Sequence, residues 1–275
     1  MAIVTISHEM GAGGPEIGTA LGQRLGYRYI DRELISEAAH RYGLLEDKLS
    51  DLDETKPTLF ERFDAETRRY LTALQTALYE FAEADNVILM GRSGQWLLRG
   101  IPHVLRVRVM GAFDLRVKRV LKKMSGQMGE GANPRSVTEM VRRDDMEKLG
   151  RMRYLYEVDL RDPALYDVLL NAEKLMIEAA VELLAGLVRR PELATTKAGQ
   201  QIVADRALAS RVQVALVTHP DTRKYRIAVE ARDGVITLEG TSALEAAADV
   251  TRDVSGVREV KTQQVEIPPI PPFVA

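Results

Sequence analysis

Residues 3–18 read IVTISHEMGAGGPEIG, a short β-branched run followed by a glycine-rich turn. After the turn, apolar residues recur at Ile17, Leu21 and Leu25 with the spacing of one helix face. The stretch therefore predicts a strand, a loop over residues 11–14 and a helix. Such a loop brings backbone N–H groups together at the positive end of a helix dipole, where an anion can bind.

The loop departs from the usual phosphate-binding sequence. That sequence ends in Gly-Lys-[Ser/Thr], in which the lysine reaches the outer phosphates and the hydroxyl binds magnesium. This chain has Gly14, Pro15 and Glu16 instead. On the loop alone, two interpretations stay open: a phosphate-binding turn, and a tight strand-to-helix turn with no ligand.

Strand and helix patterns alternate through the next 150 residues. Further strands are predicted at 27–30, 86–90, 104–109 and 166–170, and helices at 32–40, 59–84, 114–124, 136–156 and 172–187, with a loop over 46–57. Because the run at 86–90 is almost continuously apolar, it is typical of a strand buried on both faces of a parallel sheet. The sequence predicts an α/β domain, a parallel sheet with helices on both faces, over residues 1–190.

The pattern changes after residue 190. Residues 191–200 carry little periodicity and are predicted to be a linker. A helix is then predicted at 205–217, strands at 225–231 and 235–239, a helix at 244–254 and a strand at 257–267, with Asp233-Gly234 as a hairpin turn. These elements form a small α+β domain of order αββαβ over 201–268, followed by a proline-rich tail at 269–275.

Composition describes an ordinary globular chain without a net positive field. The 275 residues are 45% hydrophobic and 28% charged, the mean hydropathy is −0.16, and the length suits two domains. A formal charge of −2 argues against nonspecific nucleic-acid binding, and the absence of cysteine excludes disulfides, thiolate nucleophiles and zinc–thiolate sites. Without a recognisable signal peptide or a run of about 20 apolar residues, we expect a cytoplasmic protein.

Five segments in order resemble the cytidylate kinase-like family, which is similar to the P-loop nucleoside monophosphate kinases. They are residues 3–18, DRELI at 31–35, VILMGRSG at 87–94, the basic segment 114–156 and DPALYDVLLN at 162–171. The resemblance implies phosphoryl transfer from ATP, with Mg²⁺, to a nucleoside monophosphate, CMP or dCMP first. It also explains the missing lysine, since the family's usual loop is Gly-[Ser/Ala]-Gly-Gly-x-Glu-Ile.

The resemblance assigns roles to individual residues. Gly11, Ala12, Gly13 and Gly14 would cradle the donor phosphates, with His8 where the family tends to have arginine. Asp31, Arg92 and Ser93 would hold the acceptor, and Arg92, Arg143 and Lys148 would act on the transferring group, the last two from a lid. No side chain is assigned to a metal site. Ser93 stands where cytidylate kinases have an aspartate that helps to read cytosine, which weakens the case for CMP.

Each assignment has a plainer alternative. His8 is either a substitute phosphate ligand or a loop residue, and Asp31 is either a site residue or a helix cap. The arginines and lysines of 114–156 include a lid set, but an Arg/Lys stripe on a helix is usually a solvated face.

Residues 205–216, 225–241 and 256–260 resemble a BON domain, in which DGVITLEG at 233–240 is the recognisable signature. Such domains are similar to non-catalytic modules, so the resemblance implies regulation or interaction, while near-neutral charge argues against electrostatic contact with a membrane. The alternative function is a catalytically weak nucleotide sensor that signals through this domain. Segment 59–84 offers a homodimer surface, although packing within the chain explains its apolar face more simply.

Overall fold

The computed structural model describes residues 2–31, 65–128 and 132–265. The helix predicted at 32–40, the loop at 46–57 and the tail at 269–275 lie outside these ranges. None of the helices in the described ranges is both long enough and apolar enough to cross a membrane.

The first unit is a five-stranded parallel sheet with helices on both faces, which confirms the predicted α/β class. Its strands are β1 (Ile3–His8), β2 (Arg28–Ile30), β3 (Val87–Met90), β4 (Val104–Met110) and β5 (Val168–Asn171), in the order β2-β3-β1-β4-β5. Its helices are α1 (Gly14–Leu25), α2 (Ala65–Glu83), α3 (Gly94–Leu97), α4 (Phe113–Met128), α5 (Pro134–Tyr156) and α6 (Ile177–Val188). Asn171 ends β5 in a turn in which its Oδ1 accepts the Glu173 N–H, so α6 begins five residues later than the apolar pattern predicts.

The central strand β1 is buried on both sides. Ile3 packs in a cluster with α2, whereas Val4 and Ile6 pack in a second cluster with α1 and α6. Ile6 is paired with Met90 of β3, and its carbonyl accepts the Gly91 N–H at 2.9 Å. Because parallel strands end at one edge of the sheet, this register places the glycine-rich loop beside the turn that follows β3.

The second unit has the predicted αββαβ order. It consists of α7 (Lys197–Thr218), β6 (Ile227–Arg232), β7 (Val235–Gly240), α8 (Leu244–Arg252) and β8 (Glu259–Gln264). Strands β6 and β7 are antiparallel and β7 and β8 are parallel. Asp233 and Gly234 connect β6 to β7 with φ of 49° and 79°, the left-handed pair expected of a tight hairpin turn.

Helix α7 differs from its prediction in where it begins. Thr196 caps it by accepting the Gly199 N–H, so residues 197–200 of the predicted linker are helical. The helix is apolar on two roughly opposite faces. On one face Val203 packs in the cluster with α2, and on the other Leu208, Val212 and Leu216 pack in the core of the second unit. The apolar side of α2 in the described residues is therefore covered within the chain, and a homodimer surface on segment 59–84 stays a prediction.

The shared helix predicts that the two units unfold together. Val203→Ala removes two buried carbons at the contact with α2 and should cost about 2 kcal/mol of unfolding free energy. Trp96, the single tryptophan, lies in the first unit, so its fluorescence during urea unfolding reports on that unit alone. In the Val203→Ala protein we expect the midpoint of the Trp96 transition to move to a lower urea concentration, although the substitution is in the second unit.

Gln200→Ala, at an exposed position on the first turn of α7, is the matched control and should leave the Trp96 transition in place. A Val203→Ala protein whose Trp96 transition is unchanged would show that the two units are energetically independent.

Candidate active site

The glycine-rich loop has the geometry of a phosphate-binding turn. Gly11 and Gly13 have φ of 80° and 90°, a region that strongly favours glycine. A Cβ at Gly11 would lie 2.5 Å from the Arg116 carbonyl oxygen, and one at Gly14 would lie 2.4 Å from the His8 Cβ. In this arrangement position 14 admits no side chain, and the loop contributes backbone groups and the N-terminus of α1 but no cation of its own.

The turn after β3 holds an arginine in a strained backbone. Gly91, Arg92 and Ser93 have successive φ values of 67°, 52° and 60°, and only the first is a glycine. Left-handed conformations cost a non-glycine residue roughly 1 kcal/mol or more, and they concentrate at functional sites. The turn ends at α3, where the Ser93 carbonyl accepts the Leu97 N–H at 2.9 Å.

The end of β1, this turn and helix α5 line one cavity of about 190 Å³, and the predicted residues Gly11, Ala12, Gly13 and Gly14 lie outside its lining. Five of the residues predicted to act on nucleotide line it: His8, Asp31, Arg92, Ser93 and Lys148. The remaining lining residues are Ser7, Met90, Gly91, Gln95, Arg151, Met152 and Leu160. Residues predicted from well-separated parts of the sequence are thus brought together at one site.

Cations crowd this cavity. Burial, and then the neighbouring Arg151, lower the pKa of Arg92 to about 10, while Asp31 acts in the opposite direction. Arg92 still carries a full charge at neutral pH, so two guanidinium groups repel each other at the cavity wall. An arrangement of this kind is stabilised by an anion, and planar guanidinium groups suit phosphate oxygens. Arg151 belongs to the basic segment 114–156, from which only Arg143 and Lys148 were predicted to act on the transferring group.

Lys148 places an ammonium group where the loop has none. Its Nζ donates to the His8 carbonyl oxygen at 3.1 Å, at the point where β1 passes into the loop. One turn earlier on α5, the Asp144 carboxylate lies 2.9 Å from the same Nζ and fixes the side chain. The cation that a phosphate-binding loop usually carries is here available from α5.

Arg143 lies apart from this group. It is exposed and does not line the cavity. It lies five positions before Lys148 on α5, so the two side chains point about 140° apart around the helix. The structure brings Lys148 and Arg151 to the cavity and leaves Arg143 on the solvent side, so its role in transfer stays a prediction.

The surroundings of His8 favour its neutral form, and its role as a phosphate ligand stays a prediction. Burial, and then the charge of Lys148, lower its pKa from 6.5 to about 4. Its ring packs over Gly14, and its Nδ1 lies 3.3 Å from the Glu9 carbonyl oxygen. His8 therefore shapes the loop and can contact a ligand only as a neutral donor or acceptor.

This pKa shift predicts a pH dependence of stability. Between about pH 6.5 and pH 4 the unfolded chain binds a proton at His8 that the folded chain does not, so the unfolding free energy falls as the pH is lowered through that window. In urea unfolding at pH 7.5 and pH 5, His8→Gln should lose less stability than the unsubstituted protein.

His219→Gln is the control for that comparison, because His219 has an exposed side chain at the end of α7. It should lose as much stability between the two pH values as the unsubstituted protein. An equal loss in all three proteins would contradict a neutral, buried His8.

A buried ion-pair network supports the loop from beneath. The Glu9 carboxylate accepts hydrogen bonds from Arg108 Nη2 and the Gly111 N–H, both at 3.2 Å, and lies 3.3 Å from Arg116 Nε. Arg116 also forms two bonds with Asp145 of α5, at 3.0 and 2.7 Å, and its Nη1 donates to the Met10 carbonyl oxygen at 3.2 Å. One guanidinium group thereby joins the loop to α5.

Removing that guanidinium should be costly. Arg116→Met leaves the Glu9 and Asp145 carboxylates without their shared partner, and breaking a buried pair in this way costs about 3 kcal/mol or more. We expect urea unfolding to show a loss of this size. Lys118→Met, at an exposed site on the same helix, should change stability little; equal effects at the two positions would argue that Arg116 contributes no more than a surface charge.

Comparisons with known proteins agree with this architecture. The model of the cytidylate kinase-like family matches residues 3–174, and that of the BON domain matches residues 204–269. A cytidylate kinase of Staphylothermus marinus is 23% identical over 191 residues, which cover 69% of this chain and 98% of that protein. A cytidylate kinase of Pyrobaculum arsenaticum is 25% identical over 186 residues, which cover 66% of this chain and 90% of that protein.

Among solved structures, an uncharacterized protein of Eubacterium ventriosum matches with a TM-score of 0.53 and 21% identity, covering 68% of this chain and 97% of that one. This likeness supports the fold. The fold is thus a parallel α/β domain with a cavity at the edge of the sheet where β1 and β3 end. Because the family model spans more than half of its length, the chain belongs to the cytidylate kinase-like family.

Proposed function

We propose that the protein transfers the γ-phosphoryl group of ATP to a nucleoside monophosphate, with CMP or dCMP as the first acceptors to test. The observation that carries the proposal is the convergence of Arg92, Arg151 and Lys148 on one cavity beside the glycine-rich loop. A site for two phosphate-bearing ligands needs such a concentration of positive charge. Family membership and the kinase names of the relatives support the same reaction.

In this proposal the donor phosphates lie on the loop formed by Gly11, Ala12, Gly13 and Gly14. Backbone N–H groups at the start of α1 bind them, and Lys148 supplies the cation. His8 lines the site as a neutral group.

Magnesium fits this donor set, although within the described residues no group of three or more His, Cys, Asp or Glu side chains could hold a metal by itself. Nucleotide phosphates and water usually provide most magnesium ligands, with one or two carboxylates, and Asp31 lines the cavity. Bound Mg²⁺ would neutralise charge on the phosphates.

The acceptor lies against Arg92, Arg151 and Ser93. An oxygen of its phosphate forms a bond to the γ-phosphorus of ATP while the bond between that phosphorus and the β,γ-bridging oxygen breaks. ADP leaves and a nucleoside diphosphate remains. The protein contributes no nucleophile; Arg92, Arg151 and Lys148 hold the reacting groups in line and balance the charge that spreads over the moving phosphoryl group.

One observation favours the alternative, a nucleotide sensor with little catalysis. The loop has no lysine, and the close approach of His8 to Gly14 leaves no space for a side chain at position 14. A fixed loop cation normally stabilises the transition state, so reliance on Lys148 alone lowers the expected rate. In both versions the BON-like unit acts in regulation or interaction and not as a lipid anchor, because its charge is near neutral.

The test is phosphoryl transfer from ATP and Mg²⁺ to CMP, dCMP, UMP, AMP and GMP. Arg92→Ala and Arg151→Ala should each lower kcat/KM by about 100-fold or more, because each removes a charge-assisted contact to the reacting groups. Lys148→Ala should lower kcat by a similar factor. Arg143→Ala then decides whether Arg143 joins the site during turnover.

Arg135→Ala, at an exposed position in the first turn of α5, serves as the control and should keep full activity. Binding of ATP without turnover on any acceptor would overturn the kinase proposal in favour of the sensor.

A further inference from the structure

Helix α7 of the BON-like unit contacts α3, the short helix that follows the turn with the acceptor arginine. Arg206 Nη1 donates to the Leu97 carbonyl oxygen at 2.7 Å. Leu97 is the last residue of α3, and α3 begins directly after the turn formed by Gly91, Arg92 and Ser93. The second unit is therefore joined by one side chain to the scaffold of the candidate site.

This contact gives the Leu97 carbonyl oxygen a hydrogen-bond donor that α3 itself does not provide. The last carbonyls of a helix have no partner within the helix, and a cation near them is favourable. Tyr79 Oη of α2 donates to the same Leu97 oxygen at 3.2 Å. Because α3 has only four residues, its position depends on such contacts from outside.

Helix α3 lies between α7 and the cavity. Gln95 of α3 lines the cavity and is only 2% exposed, while Trp96 packs against Tyr156 of α5 with ring centroids 6.1 Å apart. The left-handed turn before α3 couples Arg92 tightly to this helix, since the Gly94 N–H donates to the Gly91 carbonyl oxygen at 3.0 Å. A displacement of α3 therefore displaces Arg92.

Helix α7 is in turn held firmly on the first unit. Thr76 Oγ1 contacts the Ser210 carbonyl oxygen at 3.1 Å within the buried contact of α2 and α7, and Arg69 Nε donates to the Val217 carbonyl oxygen at 3.1 Å. Arg206 also borders a groove of about 790 Å³ between α7 and strands β6 and β7. Arg206 thus contacts α3 and borders the groove beside the sheet of the second unit.

We infer that Arg206 is a positioning residue for the acceptor site, through which the BON-like unit sets the placement of Arg92. The unit is then a structural part of the kinase and not a separately tethered module. A change in the sheet of the second unit reaches the site by way of Arg206, α3 and the left-handed turn. The inference relies on the proposed function only in taking a nucleoside monophosphate as the ligand of Arg92.

The first test needs no activity. Hydrogen–deuterium exchange is measured on peptides covering residues 91–98 in the full chain, in Arg206→Ala, in Arg206→Lys and in Arg211→Ala. We expect faster exchange in these peptides for Arg206→Ala and partial recovery for Arg206→Lys, whose ammonium can still donate to Leu97. Arg211→Ala removes a neighbouring contact, the 2.8 Å pair with Glu83, and should leave the peptides unchanged.

The second test separates positioning from a general structural effect. Arg206→Ala should raise the KM for the monophosphate about tenfold, because a displaced Arg92 loses a hydrogen bond to the charged phosphate of this ligand. The KM for ATP should stay unchanged. Unaltered exchange over residues 91–98, or equal rises in both KM values, would overturn the inference. If the unsubstituted protein shows no turnover, the proposed function fails, and the exchange result still decides the role of Arg206.

Discussion

The Arg116 guanidinium is the interaction on which the geometry of the site depends. It is buried, and its donors are divided among Glu9 beside the loop, the carbonyls of Met10 and Gly111, and Asp145 of α5. A buried charge is tolerated only when its donors are satisfied, so these partners are fixed relative to one another. Helix α5 carries Lys148 and Arg151, and the distance of these cations from the loop follows from this pairing.

Helix α7 imposes a second constraint of a different kind. Apolar residues on two opposed faces give it two buried contacts, one with α2 and one with the sheet formed by β6, β7 and β8. A helix of this pattern cannot leave either partner without exposing an apolar face to water. The segments that match the two families therefore share contacts with one helix, and α7 runs without a break through the region where the two units join.

Much of the architecture followed from local sequence patterns. Both sheets and all the described helices longer than one turn were predicted, because period-two and helical apolar spacing reflect which side of each element is buried. The start of α7 was placed too late, since Thr196 is an ordinary polar residue until its side chain is seen to accept the Gly199 N–H.

The site was predictable in part. His8, Asp31, Arg92, Ser93 and Lys148 do meet, because the ends of β1, β2 and β3 lie at one sheet edge. The selection of Arg143 over Arg151 could not be checked from the sequence, since it depends on how α5 is rotated, and that rotation is set by the distant pair Arg116 and Asp145. The neutral state of His8 likewise arises from burial and from Lys148, which is 140 residues away.

The location of the phosphate cation has a physical consequence for the proposed reaction. A lysine on the loop would be present whatever the position of α5, because it would be part of α1. Lys148 belongs to α5 and donates to the His8 carbonyl oxygen at the start of the loop, so in the proposed reaction its charge would reach the donor phosphates while α5 stays on the loop. The Arg116–Asp145 pair holds α5 there. In the proposed reaction Lys148, beside the donor, and Arg151, beside the acceptor, would both depend on the position of α5, and this helix would link the two halves of the site mechanically.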